Sequence, residues 1–252
     1  MISRQKIWEL SDDDIHLWYS SLDLPATSLN GLETTLDEDE QKRANRFCFE
    51  RERARFVACH GLLRRILGHY VDSDPSELRF SYNPNGKPSL RERFGGDRIQ
   101  FSLSHSSGCA IYAVTLNRKI GVDLERIAPI PELEQIVNHF FSDQEKSVFH
   151  LLADNEKQTA FFKTWAAKEA YVKACGEGLT HLNRIAISLE PSKFKCSLKN
   201  GSEIWENSHW WLEQLRPASN FIAAVVAERS DLNEAIICRP NRTSNGHWSK
   251  HP

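Results

Sequence analysis

The sequence predicts an α+β protein built from two similar halves, each a small antiparallel sheet packed on a long helix. The order of a strand, a long helix and a strand pair occurs twice, although residue identity between the copies is poor. The length of 252 residues and the 40% hydrophobic content allow two halves of ordinary size, each with a core. We expect an N-terminal half over residues 1–117, a C-terminal half over 118–238 and a polar, disordered tail over 239–252.

The elements of the first half follow from periodicity and turn residues. Apolar residues at helical spacing predict a long helix over 50–70, with Gly68 as its stop, after a charged helix over 36–46. Asp37 is well placed near the start of that charged helix. Runs of β-branched and aromatic residues predict strands at 15–22, 79–82, 99–103 and 109–116. Turn residues fill the loop at 83–88, and residues 104–108 connect the last two strands.

The second half repeats this order. A strand is expected at 119–127, followed by helices over 133–140, from Ser142 onward, and over 156–175. Ser142 and Glu145 fit the capping-box pattern, in which a hydroxyl and a carboxylate satisfy each other's backbone N–H groups. Gly176 and Gly178 are expected to end the longest helix. Further strands are expected at 184–189, 210–215 and 221–227.

The composition argues against several broad classes of protein. Lys plus Arg number 32 and Asp plus Glu 34, a balance that argues against nucleic acid as the main partner. No apolar run approaches the ~18 residues of a membrane span, and residues 1–10 lack the apolar region of a signal peptide. We therefore expect a cytoplasmic protein with no membrane partner. The six cysteines form no CxxC pair and predict no zinc site.

Two carboxylates alternate along the strand at 119–127. Asp123 and Glu125 share one face of that strand, whereas Val122 and Leu124 point to the other, toward the core. Neighbouring carboxylates repel each other, and their simplest functional use is to bind a hard divalent cation such as Mg²⁺. A solvated strand face is the alternative, and the pair alone leaves it open.

The longest helix carries a charged and aromatic face. Its residues Trp165, Lys168, Glu169 and Lys173 lie within an arc of about 140°. Glu169 and Lys173 are spaced i, i+4, which also fits a solvent-exposed ion pair. Small residues beside them would let a backbone or a ligand approach closely: Ala166, Ala167 and Ala170.

Loops and one helix of the first half offer positive charge and backbone N–H groups. Lys87 lies in a turn between Gly86 and Pro88, and Ser104 and His105 lie where a strand is expected to meet a loop. Such groups suit a phosphate, although an ordinary hydrogen-bonded histidine is an equally simple interpretation of His105. The segment 41–65 is locally basic and predicts either a solvated helix face or a phosphate pocket. Its arginines are Arg43, Arg46, Arg51, Arg53, Arg55, Arg64 and Arg65.

Five segments together resemble a known family. NPNGKPSL, FSLSHS, IGVDLERI, FFSDQE and WAAKEAYVKACGEGL have the order and spacing of the Sfp-type 4′-phosphopantetheinyl transferases, of the holo-acyl-carrier-protein synthase superfamily. The resemblance spans residues 36–179. It implies the pseudo-dimeric fold of that family and a monomer. It also implies transfer of the 4′-phosphopantetheine group of coenzyme A to a serine of an apo acyl or peptidyl carrier protein, releasing adenosine 3′,5′-bisphosphate.

The resemblance also implies roles for the charged residues of the second half. Asp123, Glu125 and Glu169 match the family's Mg²⁺ ligands, and Lys173 matches the residue that contacts the pyrophosphate. By the same resemblance Glu169 helps to deprotonate the serine, and Lys168 stabilises the departing phosphate. Three carboxylates beside a pyrophosphate would repel it strongly unless a cation lies between them.

In the first half the resemblance implies the coenzyme A site. Lys87, Ser104 and His105 match positions that hold coenzyme A, including its 3′-phosphate, and Arg43 and Arg55 are further candidates. Two other functions remain open. One is a Mg²⁺-dependent hydrolase of coenzyme A or a related pyrophosphate, and the other is a non-catalytic module that binds carrier proteins. The tail after Ala227 carries no family pattern, and we expect it to be dispensable.

Overall fold

The structure is a computed structural model that describes residues 9–176, 182, 185–188, 195–200, 203–206, 209–229 and 235–240. Its contacts divide the chain into two compact units, Met1–Arg118 together with Leu232–Pro252, and Lys119–Asp231. Within the described part, no helix has both the length and the apolar character that a bilayer crossing requires.

The described residues of the first unit form three helices and a run of strands. Its helices are α1 (Ala26–Glu33), α2 (Glu38–Ala44) and α3 (Glu50–Tyr70). Its strands are β1 (Asp14–Ser21), β2 (Phe80–Tyr82), β3 (Pro88–Leu90), β4 (Ile99–Ser106) and β5 (Cys109–Leu116). Short 3₁₀ turns lie at Pro75–Glu77, Glu92–Phe94 and Gly96–Arg98.

The second unit begins with a strand and continues with helices. Its helices are α4 (Leu133–Phe140), α5 (Asp143–His150) and α6 (Asp154–Cys175). Its strands are β6 (Ile120–Arg126), β7 (Ile185–Ser188), β8 (Lys195–Asn200), β9 (Glu203–Glu206), β10 (Trp210–Leu215) and β11 (Phe221–Glu228). The chain then returns to the first unit with β12 (Ala235–Pro240).

The main sheet of each unit packs on that unit's long helix. The first sheet has the order β12-β1-β5-β4, and α3 covers the face that carries Trp18 and Tyr112. The Tyr112 hydroxyl donates to the Cys59 carbonyl of α3 at 2.9 Å, which fixes the helix to the sheet. The second sheet has the order β10-β11-β6, and α6 packs on β6 and β11. The strands β7, β8 and β9 form a separate antiparallel sheet.

The predicted α+β fold with two similar halves is confirmed. The arrangement β1-β5-β4 on α3 recurs as β6-β11-β10 on α6, and these pairings are antiparallel. One edge differs from the expectation, because β12 pairs with β1 in parallel. That strand spans part of the expected second half and the first two residues of the expected tail, 239–240. Those two residues pair with Trp18 and Tyr19.

Of the capping residues predicted from the sequence, Asp37, Ser142 and Gly176 are confirmed and Gly68 is not. Asp37 and Ser142 are N-caps, and each forms a capping box with the glutamate three residues later. Gly176 ends α6 with a φ of 72°, in the left-handed region that favours glycine. Gly68 does not end α3, which continues to Tyr70. A Cβ at Gly68 would lie 2.8 Å from the Ser73 carbonyl oxygen, so this glycine permits close packing of the following turn. The expected second stop, Gly178, lies outside the described residues.

Candidate active site

The two carboxylates of β6, Asp123 and Glu125, lie on the face of the sheet that packs on α6. Asp123 pairs across the sheet with Ala224, and Glu125 pairs with Ile222, both of which belong to the core beneath α6. Partners directly opposite in a sheet share a face, so both carboxylates lie on the side of the helix. Asp123 is 4% exposed, whereas Glu125 is half-buried nearer the end of the strand. The site is therefore built between a strand and a helix rather than on a solvated strand face.

Gly121 allows the helix to lie directly on β6. A Cβ at this position would be 1.9 Å from the Ala170 carbonyl oxygen and 2.4 Å from the Ala174 nitrogen, both of them backbone atoms of α6. The sequence analysis identified the small residues of the helix but missed this glycine. A glycine inside a strand, two residues before a buried carboxylate, is the signal for such a close backbone approach.

This contact brings three charged side chains together. The Lys173 ammonium donates to Asp123 Oδ1 at 2.7 Å, and its side chain keeps 31% of its surface exposed. Glu169 lies one turn earlier on the same helix and is half-buried. Burial raises the pKa of the Glu169 carboxyl, the charge of Asp123 raises it further, and Lys173 opposes both. The charges of Asp123, Glu169 and Lys173 therefore influence one another, and their role as a common site stays a prediction.

The donor chemistry of this group fits a divalent cation. Asp123 and Glu169 supply hard carboxylate oxygens, and their mutual repulsion is only partly balanced by one lysine. Across the described ranges, no three His, Cys, Asp or Glu side chains are gathered as a ready metal site. Glu125 is therefore not clustered with the other two in this structure, and its part as a third ligand stays a prediction.

Lys168 does not belong to this group. Its side chain is fully buried, and its ammonium donates to Glu145 Oε2 and to the Ile185 carbonyl, each at 2.5 Å. Glu145 also accepts from the backbone N–H groups of Ser142, at 2.8 Å, and Ile187, at 2.9 Å. The structure thus gives Lys168 buried partners away from Asp123 and Lys173, and its expected role in stabilising a departing phosphate stays a prediction. About 100° separates neighbouring residues on a helix, which turns Lys168 into the core while Glu169 faces the site.

In the first unit, Arg55 lies at the turn between β4 and β5. Its guanidinium binds Asp23 through two hydrogen bonds of 2.8 and 2.9 Å. A Cβ at Gly108 would lie 2.6 Å from the same guanidinium, so the glycine makes room for Arg55. The Arg55 contact lowers the pKa of Asp23 to about 2. The guanidinium of this candidate for coenzyme A binding is therefore engaged by a carboxylate in this structure.

Ser104 and His105 lie inside β4 rather than in a loop. They pair with Ile111 and Ala110, and the turn itself is formed by Ser107 and Gly108. His105 is exposed, whereas Ser104 is 7% exposed. The strand is longer than expected because its pairing with β5 continues to Ser106. Both residues therefore have a fixed backbone two to three residues from the turn.

Arg43 and Lys87 lie on α2 and in the β2–β3 turn. The exposed Arg43 places its guanidinium carbon 5.4 Å from the centre of the Phe56 ring. The Lys87 N–H donates to Asn83 Oδ1 at 2.8 Å, which closes the turn that presents its side chain. The basic segment 41–65 is not one uniform surface, however. Arg51, Arg53 and Arg55 form ion pairs, and Arg64 is fully buried.

Comparison with known proteins decides the family. A sequence profile of the 4′-phosphopantetheinyl transferase superfamily matches residues 119–226, and an N-terminal 4′-phosphopantetheinyl transferase profile matches residues 26–117. The 4′-phosphopantetheinyl transferase HetI of Nostoc sp. is 41% identical over 216 residues, which are 86% of this chain and 88% of HetI. The chain belongs to the 4′-phosphopantetheinyl transferases.

Two further relatives share lower sequence identity with this chain. The 4′-phosphopantetheinyl transferase Sfp of Bacillus subtilis is 31% identical over 146 residues, covering 58% of this chain and 62% of Sfp. The human L-aminoadipate-semialdehyde dehydrogenase-phosphopantetheinyl transferase is 25% identical over 166 residues, covering 62% of this chain and 54% of its own. The resemblance stated from five sequence segments is thus confirmed, and so is the expectation that the chain is an enzyme of this class.

Proposed function

We propose that this phosphopantetheinyl transferase moves the 4′-phosphopantetheine group of coenzyme A onto a serine hydroxyl of an apo acyl or peptidyl carrier protein. The reaction requires Mg²⁺ and releases adenosine 3′,5′-bisphosphate. The observation that carries the proposal is the group formed by Asp123, Glu169 and Lys173, because it combines metal-binding carboxylates with an exposed ammonium.

In this reaction Asp123, Glu169 and Lys173 would stabilise the negative charge of the phosphate oxygens and accept the proton of the serine hydroxyl. The serine oxygen attacks the β-phosphorus of coenzyme A, the bond to the bridging oxygen of the pyrophosphate breaks, and the leaving phosphate takes the electron pair. Charge then develops on the non-bridging and leaving oxygens, where positioned cations are most effective. Lys173 is partly exposed, so its ammonium can exchange Asp123 for a phosphate oxygen.

Glu169 is suited to accept the serine proton, directly or through a water molecule. The structure places this half-buried carboxylate beside Asp123 and Lys173, so a base at this position lies next to the groups proposed to hold the pyrophosphate. Asp123 and Glu169 would hold Mg²⁺, with Glu125 as a proposed third ligand. The bound ion supplies neutralisation of the pyrophosphate charge.

The first unit supplies the candidates for the rest of coenzyme A. We assign Lys87, Ser104, His105, Arg43 and Arg55 to its binding, including the 3′-phosphate. A cationic side chain presented by a tight turn, as Lys87 is, gives a phosphate a fixed partner. We also propose that this protein is a cytoplasmic monomer. Sedimentation of the purified chain tests its oligomeric state.

Intact-mass spectrometry of an apo acyl carrier protein tests the function. Incubation with this protein, coenzyme A and Mg²⁺ should add about 340 Da, and a metal chelator should abolish the gain. A carrier whose acceptor serine is replaced by alanine is the control and should stay unmodified. Cleavage of coenzyme A with every carrier left unmodified would favour the hydrolase. A stable carrier complex with neither transfer nor cleavage would favour a binding module.

A further inference from the structure

A buried arginine joins three segments of the first unit. The side chain of Arg64, on α3, is fully buried and has four hydrogen-bond acceptors around it. Its Nε donates to Glu40 Oε2 and its Nη2 to Asp37 Oδ2, each at 2.5 Å. Its Nη1 donates to the carbonyls of Pro75, at 3.1 Å, and Leu78, at 3.0 Å. The planar guanidinium thus fixes the distance between two carboxylates and two backbone carbonyls.

The two carboxylates hold the start of α2. Asp37 is its N-cap, and Glu40 completes the capping box, so Arg64 binds both acids of that box. Glu40 is 2% exposed, and it also contacts His60 Nδ1 at 3.2 Å. The orientation of α2 is therefore fixed at its first turn, and Arg43 lies one turn further along the same short helix.

The two carbonyls hold the base of the β2–β3 hairpin. Pro75 belongs to the 3₁₀ turn that precedes β2, and Leu78 lies two residues before that strand. The Arg64 guanidinium carbon is also 5.1 Å from the centre of the Phe80 ring, at the start of β2. The tip of this hairpin is the turn that presents Lys87.

Arg64 therefore contacts the supports of both cations. It binds the first turn of α2, the helix that carries Arg43, and the base of the hairpin whose turn carries Lys87. Tyr82 ends β2 and pairs with Pro88, the residue after Lys87, so β2 runs from this base to the Lys87 turn.

We propose that Arg64 is a positioning residue of the coenzyme A site, which holds the helix that carries Arg43 and the hairpin that carries Lys87 in place for a phosphate group of the ligand. The inference rests on the proposed function, because it takes coenzyme A as the ligand. Stability alone does not explain this residue, since well-packed apolar side chains replace buried ion pairs with little loss and often with a gain. A positioning role explains the buried Arg64, because its planar guanidinium connects α2 with the β2–β3 hairpin, and binding residues need such rigid support.

The test compares coenzyme A with 3′-dephospho-coenzyme A as substrates of Arg64→Lys. A lysine keeps the charge but cannot bind four acceptors in one plane. We expect KM for coenzyme A to rise about tenfold with kcat within about twofold, and KM for the dephospho substrate to change by less than about twofold.

Two further variants keep the test independent of folding. Arg65→Lys is the matched control, because Arg65 is the next residue on α3 and donates to the Gly31 carbonyl of α1 at 2.8 Å. It should leave both KM values within about twofold. The double variant Arg64→Met with Glu40→Gln removes both charges of the most buried pair, while Asp37 is 24% exposed and can turn to water. It should reproduce the KM rise of Arg64→Lys, and the melting temperatures of both variants separate lost positioning from lost folding.

Equal rises of KM for both substrates, or a lower kcat at unchanged KM, would overturn the inference, because a purely structural role predicts them. If the wild-type protein modified no carrier, the proposed function would fall instead. Calorimetric titration of the same variants with the two substrates would then decide the inference by itself. A Kd ratio that stays at its wild-type value in Arg64→Lys would reject it.

Discussion

The strand face beneath the long helix differs between the two units, although their topology is the same. In the first unit, His16 and Trp18 of β1 lie on the α3 side of the sheet, opposite Val114 and Tyr112. The Tyr70 hydroxyl, at the end of α3, contacts His16 Nδ1 at 2.6 Å and accepts from Trp18 Nε1 at 3.1 Å. This face is closed by large rings that satisfy one another inside a core.

In the second unit, the same face of β6 carries a glycine and two carboxylates. Gly121 brings α6 against the strand, and Asp123 is bound by Lys173, a partly exposed side chain of that helix. A lysine can exchange its carboxylate for a phosphate, whereas a buried tryptophan and tyrosine have no such alternative. The comparison indicates that the strand face beneath the long helix is filled by aromatic side chains in the first unit. In the second unit the same face carries charged side chains that can bind a ligand.

Replacing Gly121 by alanine should have the largest effect on turnover. The new Cβ would overlap the backbone of α6 at Ala170 and Ala174, so the helix must move away from β6. We expect a loss of about 3 kcal/mol or more in the free energy of unfolding, which urea titration measures. Turnover should fall below detection, because Asp123 and Lys173 separate.

Gly31→Ala is the control for that change. There the Cβ would meet the terminal Nη2 of Arg65 at 3.0 Å, a flexible group that can shift, and alanine favours the helix α1. Its free energy of unfolding should stay within about 1 kcal/mol of the wild-type value. Equal losses in the two variants would show that Gly121 has no special place beneath α6.

Glu169→Gln should lower turnover by about 10²-fold or more while the fold remains, because it removes a proposed metal ligand and base with little change in volume. The initial rate of carrier modification measures this loss. Glu156→Gln, an exposed change in the first turn of the same helix, is the control and should leave the rate unchanged. A near-normal rate in Glu169→Gln with Mg²⁺ present would exclude both roles.

The same variant has an expected pH signature in metal-free protein. Since the folded pKa of Glu169 is raised, the folded state binds more protons than the unfolded state above the ordinary pKa of glutamate, about 4. Stability from this group is therefore lost as the pH rises through that window. Glu169→Gln should be the more stable protein at pH 7, and thermal melts should converge near pH 4. Parallel melting curves at every pH would contradict the raised pKa.

The sequence predicted the elements that local rules determine. The 50–70 helix, the capping boxes at Asp37 and Ser142, and the left-handed stop at Gly176 all follow from residues close in sequence. The family segments also identified Asp123, Glu169 and Lys173, which the structure gathers. Partners distant in sequence were not predictable in this way, because pairing of β12 with β1 depends on contacts more than 200 residues apart.

The orientation of a charged residue on a helix was the other failure. Lys168 and Lys173 both fit a polar stripe, and periodicity alone assigned both to one face. Only the structure shows that Lys168 binds Glu145 in the core. This glutamate is held in place there because it also accepts from the N–H groups of Ser142, at the start of α5, and of Ile187. A buried ion pair between two helices leaves no mark in the periodicity of either.

Variants of Lys168 and Lys173 should distinguish a residue that is needed for stability from one that is needed for turnover. Lys168→Met alone leaves Glu145 as an uncompensated buried charge and should cost about 3–5 kcal/mol in the free energy of unfolding. The double variant Lys168→Met with Glu145→Gln should recover most of that loss, with turnover within about threefold of wild type. Lys173→Met is the comparison: it should lose turnover, and because it leaves the buried Asp123 without its ammonium, its melting temperature should fall as well. A folded Lys168→Met, Glu145→Gln protein without activity would support a catalytic part for Lys168.

Asp23→Asn should have the smallest effect, and it tests the charged turn of the first unit. Arg55 holds the pKa of Asp23 at about 2, so this carboxylate adds stability above the ordinary pKa of aspartate and loses it as the pH falls toward 2. Because the pair is half exposed, the change in stability at pH 7 should be under about 1 kcal/mol. Acid titration of both proteins by circular dichroism should show the weaker acid dependence in Asp23→Asn.

The same substitution asks whether Arg55 serves coenzyme A. Removing the Asp23 charge releases Arg51 and also Arg55, whose guanidinium lies beside Gly108, at the turn after Ser104 and His105. If Arg55 binds a phosphate of the substrate, KM for coenzyme A should fall by about twofold at low salt and the gain should vanish at high salt. Glu33→Gln is the control, because it releases Arg53 of the same helix from an equivalent ion pair. An unchanged KM in Asp23→Asn, or an equal gain in both variants, would leave Arg55 with a structural role alone, because only a guanidinium that reaches the substrate can convert its lost carboxylate into affinity.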